Sequence, residues 1–316
     1  MDEDGAERVY VTKTERPVAN LGVAVIASSP ANALIHPWFL GSLDENDVQG
    51  YAGTPVNVNG FTVDYLADIG AAGVVFPRQQ RFFVSVDSGK DRFTGHSRPG
   101  RYLLRSWVND VRPPVIRVLT TRLAAGRPLI VARIVDTGAG VNPYSIVLGY
   151  RRVLLGAAAY DPGSGLTFFP LPPQAPKLVA GSTTSLIVAS DFQEAKNVNT
   201  VGENLMPNTT FYPVELKVVR GPAITWLTPA SGSCVAARTP LIVTASAIRR
   251  ISAIRFFDGK RPIRTVRRGS SGIFSTTWST GRAAKGRHLL RAVVVDGAGA
   301  RAEAVRAVKV CRSAKR

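Results

Sequence analysis

The sequence predicts an all-β protein built of β-sandwich domains in a row, and three observations predict it. Glycine and proline are frequent in the 316 residues, at 29 and 21, which argues against long uninterrupted helices. Short runs rich in β-branched and aromatic residues recur between Gly, Pro and Ser clusters. An apolar content of 45% with 20% charged residues is typical of folded domains rather than of disordered chains.

Positive charge is concentrated in the last third of the sequence. The net charge is +18; residues 1–112 carry 11 basic and 13 acidic side chains, residues 113–220 carry 10 and 6, and residues 221–316 carry 19 and 3. We therefore expect the last third to attract polyanions. No apolar stretch approaches the ~20 residues that a membrane-spanning helix needs, so we expect no membrane span.

Two proline-bearing junctions divide the chain, Arg112-Pro113-Pro114 and Arg220-Gly221-Pro222. A residue before proline is driven to extended geometry, so both junctions are predicted to be short, stiff linkers. The predicted domains are 1–112, 113–220 and 221–316, called the first, second and third segments below. The second and third have the size of one sandwich domain each, about 100 residues.

The third segment has the clearest strand pattern. Its short apolar runs predict seven strands, Ile224–Thr228, Leu241–Ala247, Ile251–Phe257, Ile263–Val266, Ile273–Trp278, His288–Val295 and Ala304–Val310. Seven short strands separated by turn residues predict a β-sandwich. Asp258-Gly259 predicts a tight turn because glycine adopts a positive φ without steric cost.

The same residues resemble the bacterial Ig-like domain family. The resemblance rests on Leu241–Ala247, Ser252–Lys260, Thr276–Trp278, Gly286–Ala292 and Val295–Gly299, and it spans about residues 222–312. It implies an immunoglobulin-like sandwich. Arg249 and Arg250 stand in a loop where the family often has an acidic residue, and Ala300 replaces the usual Asn, so we do not expect calcium binding in those loops.

The other two segments follow the same pattern more loosely. In the second, Asp136–Val141 resembles a turn of such domains and Ser185–Asp191 a later strand with its closing Asp. In the first, Phe82–Val86 and Tyr102–Trp107 resemble the paired strands of β-sandwich modules that follow the catalytic domain of secreted subtilisin-like peptidases. The predicted fold class is therefore all-β, with three tandem sandwich domains of immunoglobulin-like type.

The only two cysteines, Cys234 and Cys311, flank the third segment. No other Cys or His stands at zinc-ligand spacing, so one disulfide is the favoured interpretation and two reduced thiols the alternative. A disulfide indicates an oxidising compartment. The acidic start Met1–Asp4 does not resemble a signal peptide. We expect an extracellular or cell-surface location, with the export signal upstream of these residues.

Two Asp-Ser/Thr-Gly triplets, at Asp87 and Asp136, are the strongest enzyme-like signal. Aspartic peptidases pair two such carboxylates as acid and base. The alternative is a strand-end turn, where Asp bonds its own backbone. A separation of 49 residues is too short for two peptidase lobes, so the turn is favoured. With no serine-nucleophile elbow and no histidine in a catalytic motif, we expect a protein that is not an enzyme.

Ligand candidates are a basic cluster and several aspartates. The basic cluster is predicted to contact an anionic envelope polymer or a carbohydrate, and consists of Arg249, Arg250, Arg255, Lys260, Arg261, Arg264, Arg267 and Arg268. Asp44, Asp47, Asp87 and Asp91 offer hard oxygen ligands to a structural Ca²⁺, and no other cofactor is expected. No phosphate-binding glycine loop or nucleic-acid reading motif is present, so sequence-specific nucleic-acid binding is not expected.

The predicted function is a non-catalytic, exported β-sandwich array that serves adhesion, spacing or docking in a larger secreted or surface protein. Protein partners fit this function as well. Alternatives are an accessory C-terminal region of a secreted subtilisin-like peptidase, a hydrolase using Asp87 or Asp136, and a cytosolic nucleic-acid binder with free thiols at Cys234 and Cys311.

Overall fold

The computed structural model describes residues 8–14, 20–28, 35–40, 48–50, 56–58, 61–63, 71–75, 81–88, 102–193, 208–281 and 283–311. Their regular structure is almost entirely β, which confirms the predicted fold class. Within these ranges, no helix has the length and apolarity required to cross a bilayer.

The first segment forms two facing sheets and a hairpin. Its strands are β1 (Arg8–Lys13), β2 (Asn20–Ser28), β3 (Ile35–Leu40), β4 (Val48–Gly50), β5 (Val56–Val58), β6 (Phe61–Val63), β7 (Ala71–Val75), β8 (Arg81–Ser88) and β9 (Tyr102–Val108). The sheets have the orders β1-β8-β3-β4 and β7-β2-β9, and β5 pairs with β6. Leu21 and Val23 of β2 pack against Phe82, Val84 and Val86 of β8 to form the core.

The expected pairing of Phe82–Val86 with Tyr102–Trp107 is wrong. These runs are β8 and β9, and they lie in opposite sheets: β8 pairs with β1 and β3, whereas β9 pairs with β2. The physical reason is the length of the connection. Thirteen residues separate the two strands, far more than the two to five of a hairpin, so the chain can cross to the facing sheet.

The second segment forms a two-sheet sandwich with nine strands. They are β10 (Val115–Val118), β11 (Arg122–Ala124), β12 (Leu129–Val135), β13 (Val147–Tyr150), β14 (Val153–Gly156), β15 (Ala159–Asp161), β16 (Leu166–Pro170), β17 (Gly181–Ser190) and β18 (Thr209–Val219). The sheets have the orders β10-β12-β16-β15 and β11-β18-β17-β13-β14. Ile130, Ala132 and Ile134 alternate along the inner face of β12 and meet Leu148 and Ile187 of the facing sheet.

The third segment confirms all seven predicted strands. They correspond to seven of its eight strands, which are β19 (Ala223–Thr228), β20 (Cys234–Val235), β21 (Arg238–Ser246), β22 (Ile251–Asp258), β23 (Arg261–Val266), β24 (Ile273–Ser279), β25 (Gly286–Asp296) and β26 (Arg301–Val310). The sheets have the orders β19-β21-β24 and β20-β26-β25-β22-β23 around a core that contains Trp226, Leu241 and Phe256. The two-residue strand β20 was not predicted because it is too short to show a periodicity.

The predicted disulfide is present between Cys234 and Cys311, with the two sulfur atoms 2.04 Å apart. Strand β20 runs parallel to the end of β26, with Cys234 opposite Lys309 and Val235 opposite Val310. This pairing brings the two ends of the third sandwich together. The residues between the cysteines span nearly the whole sandwich, so the bridge closes one long loop.

The second and third sandwiches pack directly on each other. Leu129, Val131 and Leu166 lie on the outer face of the β12 sheet and are buried against Leu227, which follows Trp226 on β19. We call these four side chains the apolar seam. The backbone N–H of Ala124 also donates to the Ser246 hydroxyl across the junction, at 2.9 Å. Each sheet stays within one predicted segment, while the segment boundaries themselves stay predictions.

Candidate functional site

A large basic groove lies at the junction of the second and third sandwiches. Its volume is about 1270 Å³, and residues from both sandwiches and the linker between them line it. Seven cationic side chains belong to this lining, and we call them together the basic groove: Arg127, Lys177, Arg220, Arg249, Arg250, Arg267 and Arg268. All seven are exposed, and no carboxylate lines the groove.

The second sandwich contributes two turns to the wall of the groove. The backbone N–H of Gly126 donates to the Leu178 carbonyl at 2.9 Å, and the Leu178 N–H donates to the Gly126 carbonyl at 2.8 Å. This pairing sets Arg127 beside Lys177. Gly126 has a φ of +116°, a conformation that an L side chain rarely adopts. The Nε–H of Arg127 donates to the Ala175 carbonyl at 3.0 Å, which fixes the direction of the guanidinium.

The third sandwich contributes the opposite wall. Arg249 and Arg250 occupy the turn from β21 to β22, and Arg267 and Arg268 follow β23. Gly269 comes next, and a Cβ there would overlap the Ile273 carbonyl, so glycine is required for the chain to approach β24 this closely. The local sequence thus turns both arginine pairs toward the same cavity.

The shape and charge of the groove favour an extended anion. Its volume exceeds the ~300–1,000 Å³ of typical small-molecule pockets. Arg267 and Arg268 also line a shallower depression of about 580 Å³ that continues past Arg264. The cations therefore follow a track rather than a point. Val179 and Ile248, which are both exposed, contribute apolar surface beside the charges.

The structure divides the basic cluster that the sequence indicated. Arg249, Arg250, Arg267 and Arg268 line the groove, and Arg264 lines the adjoining depression. The remaining three residues line neither: Arg255 is exposed on β22 between two buried neighbours, and Lys260 and Arg261 lie at the β22–β23 turn. The sequence did not single out Arg127, Lys177 and Arg220, because they are isolated cations in a segment of moderate charge.

A second constellation gathers three carboxylates at the end of the second sandwich nearest β9. Asp110, Asp136 and Asp191 each follow a strand, and they offer oxygen atoms that all lie within 4.8 Å of one another. Asp110 accepts from the backbone N–H of Ala139 at 2.6 Å, and Asp191 accepts from the Asn208 amide at 2.8 Å. Carboxylate oxygens are hard donors of the kind that Ca²⁺ and Mg²⁺ prefer, so this donor set has the chemistry to hold a divalent cation.

The electrostatics of Asp136 follow from this neighbourhood. Burial raises the pKa of its carboxyl, and the charge of Asp110 raises it further, while a hydrogen bond from the Gly140 N–H works in the opposite direction. That bond closes the turn predicted for the Asp136 triplet, with Gly140 N 2.6 Å from Asp136 Oδ1. Arg105 of β9 also donates to the Asp136 carbonyl, at 3.1 Å, which ties the turn to the first segment.

The other predicted aspartates lie outside the described residues, either wholly or in their side chains. Asp87 belongs to β8, where its backbone pairs with that of His36, and its side chain lies outside the described residues. Asp44, Asp47 and Asp91 also lie outside them. The calcium ligands and the Asp87–Asp136 pair therefore stay predictions. The sequence did not identify Asp110 as a partner of Asp136, because only the fold brings β9 and β12 together at one end.

The third segment matches a known protein family in sequence. Residues 222–292 match the family model of the bacterial Ig domain. The Ig-like sandwich is thus supported by sequence as well as by strand order. No curated protein matches the chain.

Several solved structures resemble parts of the chain. Fibronectin(III)-like modules of Clostridium thermocellum CbhA share 24% identity over 28% of this chain and 94% of that chain, with a TM-score of 0.25. Latent PorU from Porphyromonas gingivalis shares 12% identity over 94% of this chain and 30% of that chain, with a TM-score of 0.38. An endo-β-1,4-mannanase from Thermotoga petrophila shares 14% identity over 38% of this chain and 23% of that chain, with a TM-score of 0.27. The chain spans less than a third of these last two proteins.

Proposed function

We propose that this chain is a non-catalytic array of Ig-like sandwiches in an exported protein and that its basic groove docks it on a linear anionic polymer of the cell envelope. The observation that carries the proposal is the composition of the groove: seven exposed cations from five stretches of chain, with no lining carboxylate. A cleft lined by charges of one sign concentrates oppositely charged ligands and accelerates their capture.

The geometry favours a polymer over a compact anion. Lys177 and Arg127 lie on one wall, Arg249 and Arg250 on the other, and the track continues past Arg268 to Arg264. A chain with regularly spaced negative groups can contact these cations in succession, whereas a small anion can meet only a few of them. Binding of this kind depends on counterion release and therefore weakens steeply with salt.

Export is supported by the disulfide between Cys234 and Cys311, because such bonds persist in oxidising compartments. A fixed arrangement of the second and third sandwiches suits a spacing or docking role, and the apolar seam supports such an arrangement. An accessory role beside a secreted peptidase domain is compatible with the same features.

The test is binding of fluorescently labelled linear polyphosphate to the full chain, measured by anisotropy at several salt concentrations. The groove variant is Arg267→Gln/Arg268→Gln. The matched control is Arg255→Gln/Lys260→Gln, which removes the same charge from the same sandwich outside the groove. We expect the groove variant to lose about tenfold or more in affinity and the control about twofold or less. Affinity of the native chain should fall on the order of 10³-fold between 50 and 200 mM salt.

Equal losses in the two variants would refute the groove and leave only diffuse attraction to the basic sandwich. An affinity that does not change with salt would refute electrostatic docking altogether.

A further inference from the structure

A separate group of arginines lies at the same junction, farther along β12 from the basic groove. Leu129 lines the groove, Val131 lies in the apolar seam, and Arg133 is the next residue on that outer face. Four residues of strand correspond to about 13 Å. Arg133 is therefore well separated from the groove wall at Leu129 but lies beside the same seam.

Arg117 stands directly opposite Arg133 in the β10–β12 pairing. Both side chains are on the outer face, since Ile116, Val118, Ala132 and Ile134 are buried in the core. Like charges directly opposite each other on neighbouring strands destabilise a sheet. A negative charge between them would relieve this repulsion, and no carboxylate forms an ion pair with either arginine in the part of the chain that the structure describes.

The third sandwich adds Arg306 to this pair. Its Nη2 donates to the Trp226 carbonyl at 2.9 Å, and Trp226 directly precedes Leu227 of the apolar seam. Burial lowers the pKa of the Arg306 guanidinium, and the charges of Arg117 and Arg133 lower it further. Arg133 stands opposite Leu166 of the apolar seam in the β12–β16 pairing, and Arg306 bonds the residue that precedes Leu227 of the same seam. Cations of both sandwiches therefore lie beside one seam, and the described residues supply them with no anionic partner.

We propose that Arg117, Arg133 and Arg306 form a binding site for a tetrahedral oxyanion, phosphate or sulfate, that bridges the second and third sandwiches. The planar fork of a guanidinium matches two oxygens of such an anion and gives short, charge-assisted hydrogen bonds. Arg306 holds the inner side of the site through its bond to Trp226, and the exposed Arg117 forms the open side. The site does not depend on polymer binding in the basic groove.

Binding at this site has a direct consequence for stability. The anion touches both sandwiches and replaces repulsion among three cations by attraction, so it stabilises their arrangement across the apolar seam. A ligand that binds only the folded chain raises the melting temperature according to its concentration relative to its dissociation constant.

The test is thermal unfolding of the full chain at constant ionic strength in chloride and in 10 mM inorganic phosphate, sulfate or glycerol phosphate. We expect phosphate and sulfate each to raise the melting temperature by about 3 °C relative to chloride, whereas glycerol phosphate distinguishes a site for phosphate esters from a site for the free ion. Arg133→Gln should abolish this increment, and in chloride it should itself be more stable than the native chain because it removes repulsion. Arg301→Gln, an exposed arginine on the same strand as Arg306, is the control and should keep the full increment.

Two results would overturn the site. One is an unchanged increment in Arg133→Gln; the other is an equal loss in Arg301→Gln, which would reveal a general charge effect. If phosphate and sulfate raise the melting temperature but glycerol phosphate does not, the site exists and its ligand is the free inorganic ion. Arg133→Gln should bind labelled polyphosphate as tightly as the native chain does. The oxyanion site and polymer docking in the basic groove can therefore be refuted independently of each other.

Discussion

The imidazole Nδ1 of His288 lies 2.9 Å from both carboxylate oxygens of Asp258, across the pairing of β22 and β25. The other ring nitrogen, Nε2, lies 2.8 Å from the Ala284 carbonyl. Both partners only accept hydrogen bonds, so both ring nitrogens must carry protons for the two bonds to form together. The neighbourhood of His288 thus selects the imidazolium form.

This relationship predicts a pH dependence of stability. Burial of the ring lowers the pKa of His288, but the bonds to the Ala284 carbonyl and the Asp258 carboxylate outweigh it, and the pKa is raised from 6.5. A raised folded-state pKa gives stability that is full below pH 6.5 and is lost as the pH rises through the folded pKa. His288→Gln should cost about 1–2 kcal/mol at pH 6 and less at pH 9, measured by urea unfolding. A difference that grows with pH would contradict this.

Removal of the disulfide should destabilise the third sandwich chiefly through the unfolded state. The bridge joins residues 77 positions apart, and loop closure of that length corresponds to about 4 kcal/mol. Cys234→Ser/Cys311→Ser should therefore unfold at markedly lower urea concentration than the native chain. Dithiothreitol should reproduce the loss in the native chain and leave the double variant unchanged. Insensitivity of the native chain to reductant would show that the bridge contributes little.

Gly22 is predicted to be intolerant of a side chain. It stands opposite Trp107 in the β2–β9 pairing, and a Cβ at this position would overlap the indole ring. Trp107 is buried, and its Nε1–H donates to the Gln193 side chain at 2.8 Å, which joins the first segment to the second. Gly22→Ala should cost about 1–3 kcal/mol in urea unfolding followed by tryptophan fluorescence. Gly156→Ala, where a Cβ meets open space, is the control and should change stability by less than about 0.5 kcal/mol.

Replacement of Asp136 by a neutral residue is predicted to stabilise the folded protein at pH 7. Its raised pKa means that ionisation costs stability: the stability present below pH 3.8 is lost as the pH rises through the folded pKa. Asp136→Asn keeps an oxygen for the Gly140 N–H and removes repulsion from Asp110, so its melting temperature should exceed that of the native chain at pH 7 but not at pH 3. Thermal unfolding in buffer with a chelator provides the measurement.

Asp161→Asn is the matched comparison with the opposite sign. The pKa of Asp161 is lowered, first by its hydrogen bond from the Ser164 hydroxyl, so neutralisation should decrease stability at pH 7. A less stable Asp136→Asn variant at pH 7 would contradict the repulsion argument.

The apolar seam should contribute to stability as a core does. Leu227 is 2% exposed between the two sandwiches, and truncation of a buried leucine to alanine costs about 2–5 kcal/mol. Leu227→Ala should lower the calorimetric unfolding temperature and separate the transitions of the two sandwiches. Leu289→Ala, at a residue that is 47% exposed, should have little effect. A similar response of the two variants would mean that the seam does not couple the sandwiches.

The sequence by itself determined what depends on neighbours along the chain. Alternation of apolar and polar residues specifies strands, and Gly or Pro between them specifies turns, so all seven strands of the third sandwich were predictable. Two cysteines at the ends of that sandwich allowed only one intramolecular bridge. Composition alone located the excess of positive charge in the last third.

Only the tertiary structure decided which strands share a sheet and which side chains meet across a junction. Strands β8 and β9 look like a pair in sequence but face each other across the core, because local patterns do not encode the path of a long connection. Asp110 meets Asp136, and Leu227 packs against Leu129, although these residues are 26 and 98 positions apart in the chain. Such contacts depend on the burial of the sandwich faces and the seam, which involve the whole chain at once.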